Sequence, residues 1–95
     1  NTVFTANAGT SGTITTTTAN NSVISYTLNQ GANQRTGTIK VATNTLTNLV
    51  SYDEEYSETA TTDLTFSLSA ASGITSLNYS TTTATTILYR LQSAS

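Results

Sequence analysis

The chain contains no cysteine, histidine, proline, methionine or tryptophan. Without cysteine no disulfide can staple the fold. With histidine also missing, Ser-His-Asp and Cys-His nucleophile arrangements are excluded, as are zinc and copper sites of ordinary type. Positive charge is equally scarce. Arg35, Lys40 and Arg90 are too few and too scattered to displace counterions from a nucleic acid, so no nucleic-acid partner is expected. No run approaches the eighteen or so apolar residues of a membrane-spanning helix, and no signal peptide is visible, so no membrane insertion is expected.

Residues 1–95 read as a single β-sandwich domain, expected to be a piece of a longer chain because it opens on Asn1. A domain of this size buries only about 60 to 65% of the surface its unfolded chain exposes. Its stability is therefore marginal unless something is added, and with disulfides unavailable self-association is the leading addition.

What the chain has in abundance is threonine, roughly a quarter of all residues. Threonine is β-branched and stiff at χ1, which suits a pleated strand and disfavours a helix. A Thr/Ser-rich chain can also be a mucin-like stalk. The lack of proline and the recurrence of apolar residues at strand period argue for a folded β-domain instead.

Thr2–Ala6 reads as an edge strand, 7–12 as a loop with two glycines, and 13–19 as a strand with few apolar anchors. Ile24, Tyr26 and Leu28 alternate with Ser25, Thr27 and Asn29, placing the first set in the core. Residues 30–34 turn the chain. The return strand 38–42 has Ile39 and Val41 inward and Lys40 outward, which makes a hairpin. Leu46, Val50 and Tyr52 share a phase that Leu49 breaks, through either a bulge near Asn48 or cover on both faces at a contact between subunits.

Leu64, Phe66, Leu68 and Ala70 form the clearest alternation and are expected at the centre of the core. Ser72-Gly73 turns this strand into one carrying Leu77 and Tyr79, and the last strand carries Ile87, Tyr89 and Leu91 on one face with Leu88 and Arg90 opposite. The sum is all-β: about eight short strands at roughly ten-residue spacing, the pattern of an antiparallel two-sheet sandwich of jelly-roll type.

Every carboxylate lies in the segment 52–63, which reads as the long connection between the two halves. A glycosidase needs two carboxylates about 5 to 10 Å apart across a cleft, typically from different strands. Five acids local in sequence do not supply that, and no catalytic residue, metal or cofactor is expected. Three readings of the segment remain open. It is a solvated loop whose like charges discourage sheet association, a cation site, or a contact with Arg35, Lys40 or Arg90 of a second copy.

Tyr26, Tyr79 and Tyr89 lie in phase with the core, whereas Tyr56, and after it Tyr52, are the candidates for exposed contacts. A tyrosine ring beside acids and hydroxyls makes a sugar-binding platform. Tyr52, Glu55, Tyr56 and Glu58 are accordingly the candidate ligand-binding residues. Asn20-Asn21-Ser22 and Asn78-Tyr79-Ser80 match the glycosylation acceptor pattern, and such tripeptides arise by chance in so Ser/Thr/Asn-rich a chain, so no function is assigned to them.

Four segments together, Val23 to Leu28, Gln34 to Val41, the acidic Tyr52 to Thr59 followed by Asp63 to Phe66, and Ile87 to Arg90, resemble the small C-terminal β-domains of tailed-bacteriophage appendage proteins, marine and cyanobacterial ones especially. The resemblance spans most of residues 22 to 91. It implies a non-enzymatic module of a tail fibre, tail spike or head fibre on the virion surface, often a homotrimer, that trimerises the fibre or meets a host glycan or surface protein. In such a trimer Phe4, Val23, Leu49 and Leu88 would bury against neighbouring copies. Two further functions fit the sequence, a carbohydrate-binding module of a secreted enzyme and a capsid-decorating cement protein.

Overall fold

The computed structural model describes residues 1–94, all-β with no helix among them. Eight strands follow in order: β1 Thr2–Ala6, β2 Thr10–Thr17, β3 Asn21–Gln30, β4 Asn33–Asn44, β5 Leu49–Glu58, β6 Thr65–Ala71, β7 Ile74–Thr81 and β8 Thr85–Ala94. They form two antiparallel sheets, one of five strands in the order β1-β8-β3-β4-β5 and one of three in the order β2-β7-β6. The nested pairs β1–β8 and β2–β7 are those of a jelly roll. Strands β4 and β5 then continue β3 as a meander within the larger sheet, and β6 forms a hairpin with β7 in the smaller one.

The hairpins follow from turn chemistry. Gln30 pairs with Asn33, so β3 and β4 are joined by Gly31 and Ala32 alone, and Gly31 takes φ +61° at the first loop position. Ala71 pairs with Ile74 across Ser72 and Gly73, at φ +53° and +75°. Positive φ at these places matches the primed turns, whose twist suits the flanking strands.

The core lies between the sheets and consists of the alternating set. Ile24, Tyr26, Leu28, Ile39, Val41, Leu64, Phe66, Leu68, Leu77, Tyr79 and Ile87 are all buried, with Tyr89 and Leu91 packed beside them. Phe4 is half-buried against this core, its ring 5.1 Å from that of Tyr79 and edge-on to it. Each fully buried aliphatic side chain contributes about 1.5 to 3 kcal/mol.

The structure corrects the expected layout in several places. The acidic segment is not a connection as far as Glu58. Residues 52–58 are strand, paired with β4 from Arg35↔Glu58 to Asn44↔Leu49 without a register break. Only residues 59–64 cross to the smaller sheet. Charge disguised the strand: β5 is an edge that the smaller sheet leaves largely uncovered, so acids occupy it at little cost and protect it from further pairing.

Strand β4 starts at Asn33, five residues earlier than expected, because the inward position at its start holds the buried cation Arg35. Strand β2 starts at Thr10, and its register shifts between Thr13 and Thr15, where Ile14 turns toward the core. Leu49 breaks phase without a bulge in the β4–β5 ladder. Asn48 ends the preceding turn at φ +57°, and Leu49 begins β5 on the outer face. Leu64, Phe66 and Leu68 lie in the core as expected, although β6 is an edge strand of the smaller sheet.

Candidate functional site

Antiparallel register decides which residues of β5 face inward. Val41 lies opposite Tyr52, Ile39 opposite Glu54, Gly37 opposite Tyr56 and Arg35 opposite Glu58, so these four β5 residues share the face of the core. The three-stranded sheet is too narrow to cover them. Tyr52 and Tyr56 stay 41% and 51% exposed on the overhang, and Glu54 is half-buried. Asp53 and Glu55 point to the outer face, opposite Lys40 and Thr38.

The inward set is organised by a cation. Arg35 is 5% exposed, and its guanidinium carbon sits 4.9 Å from the centroid of the Tyr56 ring, 5.5 Å from that of Phe66 and 5.7 Å from that of Tyr26. Arg35 Nη2 donates to the Leu64 carbonyl at 3.0 Å and lies 3.9 Å from Glu54 Oε2. Its Nε is buried with no hydrogen-bond partner among the described residues. The ring faces, negative in their quadrupole, compensate the charge where hydrogen bonds do not.

Tyr26 completes the group by donating its hydroxyl to the Glu54 carboxylate across the intervening strand β4. That reach depends on Gly37. A Cβ there would stand 2.8 Å from the Tyr26 hydroxyl, 2.8 Å from Tyr56 Cβ and 2.6 Å from the Glu55 carbonyl oxygen. Burial, then the hydrogen bond to Glu54, hold the Tyr26 phenol well above its ordinary pKa, and Arg35 only partly offsets them. It is a fixed donor.

A second polar group pins the crossing segment. Gln30 Nε2 donates to Asp63 Oδ1 at 2.7 Å and to Thr85 Oγ1 at 2.9 Å, while Asp63 N donates to Gln30 Oε1 at 3.2 Å. The hydroxyls of Thr82 and Thr83 both donate to Asp63 Oδ2, the latter at 2.7 Å. These donors hold the Asp63 carboxyl down at about pKa 2, with the hydrogen bonds from Thr82 and Thr83 the leading causes. Glu58 is engaged as well, accepting from Thr62 Oγ1 at 2.9 Å and Thr62 N at 3.2 Å.

The four candidate ligand residues therefore separate. Tyr52, Tyr56 and Glu58 share the overhanging inner face, Glu55 lies on the outer face, and Glu58 is occupied by Thr62. The acids do not converge, and no three carboxylates among the described residues are grouped as metal ligands. Arg35, Glu54, Gly37 and Tyr26 were not legible as a group from sequence. One signal was present: Arg35, Gly37, Ile39 and Val41 on one strand face the alternation Tyr52, Glu54, Tyr56, Glu58 on the next, but only with the register known.

Of the residues placed at subunit contacts, Phe4 instead faces inward against Tyr79, whereas Val23, Leu88 and Leu49 lie on the outer face of the larger sheet, 37%, 40% and 69% exposed, where Val3 joins them. Val3 stands directly opposite Leu88. Around them the face is threonine and serine, including Ser25, Thr27, Thr36 and Thr38, which line a shallow trough of about 350 Å³ together with Asn1, Leu88 and Arg90. No protein-family model matches the chain, and no curated protein or solved structure is significantly similar to it.

Proposed function

We propose that this chain is a non-enzymatic module of a virion appendage, working at the virion surface as a homotrimer in host-surface attachment or fibre assembly. The observation that carries the reading is the outer face of the five-stranded sheet. It presents Val3, Val23, Leu49 and Leu88 to solvent in a field of short hydroxyl side chains, a composition suited to contact with other copies. The fate of the acids supports the non-enzymatic part. Glu54, Glu58 and Asp63 are engaged by Tyr26 and Arg35, by Thr62, and by Gln30 with two threonines, and the remaining two, Asp53 and Glu55, stand side by side on the outer face of one strand and not across a cleft.

Sedimentation velocity on the purified chain tests the reading. A trimer at micromolar concentration is the expected result, and a monomer throughout that range overturns it. Tyr52 and Tyr56, half-exposed on one overhanging strand face, favour a second reading as a carbohydrate-binding module. It requires glycan-array binding that Tyr56→Ala removes while leaving the mass in solution unchanged.

A further inference from the structure

Charge is divided across the outer face of the larger sheet in a way that one copy cannot satisfy by itself. Arg90 on β8 pairs in register with Ser25 on β3, Ser25 with Thr38 on β4, and Thr38 with Glu55 on β5. Arg90 and Glu55 thus stand at one level of the sheet, three strand spacings or about 14 Å apart. They are too distant to pair within the chain. Lys40 faces Asp53 directly across β4 and β5, and Arg35 is buried with Glu54, so among the described residues Arg90 is the exposed cation with no acid opposite it.

We infer that the acidic edge strand β5 of one copy docks on the β8 and β1 side of the outer face of the next, setting Glu55 against Arg90 and Tyr56 against Leu88 and Val3. The inference rests on the self-associating reading above and names its surface. Three observations argue for it. First, the two patches are complementary: the β5 edge carries an exposed tyrosine on its inner side and, on its outer side, an acid with no ion pair among the described residues, and the other patch carries exposed aliphatics beside a cation with no ion pair among them. Second, Leu88 and Arg90 line the shallow Thr/Ser trough together with Ser25, Thr27, Thr36 and Thr38, so the receiving side borders a surface that can seat an edge strand. Third, pairing β5 with β5 of another copy would set Asp53, Glu54, Glu55 and Glu58 against the same residues, which like charge opposes.

In this arrangement each copy gives its β5 edge to the next and receives another on its β8 and β1 side, a heterologous contact. Such contacts close into a ring when the rotation between copies allows it, and a trimer is a ring of this kind.

The test is charge reversal read by sedimentation velocity on the full chain, with thermal unfolding as the check on folding. Both altered residues are exposed strand positions with no hydrogen bond or ion pair among the described residues, so Arg90→Glu and Glu55→Arg should leave the unfolding midpoint near that of the parent. Each single reversal is expected to weaken assembly at least about tenfold. The double reversal, Arg90→Glu with Glu55→Arg, is expected to restore it. If both single variants keep the parent's trimeric mass, this surface is wrong while the self-associating module stands. If the parent is a monomer, the module reading fails and the surface with it. A parent that stops at a dimer overturns the ring arrangement.

Discussion

The Tyr26 hydroxyl donates to the Glu54 carboxylate although the two residues sit on strands that are not neighbours, because Gly37 on the strand between them has no side chain in the way. This contact ties the meander β3-β4-β5 together through its inner face. It also holds one acid of β5 beside the buried Arg35, where removal of the acid leaves the guanidinium only the three rings and the Leu64 carbonyl.

Gly37→Ala should therefore be costly although glycine gives up no special φ here. The new Cβ would meet backbone at 2.6 Å and the Tyr26 hydroxyl at 2.8 Å. We expect a loss of about 2 kcal/mol or more from overpacking and from the displaced Tyr26 hydrogen bond. A urea unfolding curve indistinguishable from the parent's would show that β4 and β5 separate there without strain.

Glu54→Ala removes the acid next to a cation that is almost wholly buried. Breaking a buried pair from one side costs about 3 to 5 kcal/mol, and the low end applies because Glu54 keeps some contact with water. Combining Arg35→Met with Glu54→Ala should recover part of that loss. The double-mutant cycle is the measurement, and additivity of the two single effects would deny the coupling.

Raising the pH probes Tyr26. Its folded-state pKa lies above the unfolded value near 10, so the stability it contributes is complete below that pH and is lost as pH rises through the folded value. Alkaline unfolding should accordingly begin above about pH 10. In Tyr26→Phe the chain should be less stable at neutral pH by about 1.5 to 3 kcal/mol, through loss of a hydrogen bond to a charged group. It should also be less sensitive to alkali, and an unchanged alkaline profile would assign that sensitivity to other tyrosines.

Lowering the pH probes Asp63. Its pKa is depressed from 3.8 to about 2, so its contribution is present above pH 3.8 and is lost as pH falls toward 2. The expected result is a parent chain that loses more stability between those values than Asp63→Asn does. Thermal midpoints of the two chains across that range make the comparison, and parallel curves would mean that the Thr82 and Thr83 hydroxyls do not hold the carboxylate.

Phe66→Ala should cost about 3 to 5 kcal/mol. Phe66 is 5% exposed, its ring is 4.8 Å from that of Tyr26, and it forms one wall around Arg35. A chain of this size has little stability to spare, so loss of the cooperative transition in calorimetry is the outcome to look for.

The strands were legible where one side of a sheet is wet and the other dry. Ile24-x-Tyr26-x-Leu28 and Leu64-x-Phe66-x-Leu68 announce both their conformation and their buried face, since side chains alternate along a strand and only one face can be apolar. The same rule failed at β5, where the inner face carries tyrosines and acids because the smaller sheet does not reach it. It failed again at the start of β4, where an inward residue is an arginine.

The sequence by itself determined that this protein is an all-β sandwich with a core drawn from alternating apolar residues, because β-branched composition and period-two patterning are properties of each strand separately. Only the tertiary structure decided which strands are neighbours and in what register, and that choice rests on contacts distant in sequence. It is register that carries the Tyr26 hydroxyl past Gly37 to Glu54, that wraps three rings around Arg35, and that leaves Arg90 and Glu55 at one level of the sheet, too far apart to meet.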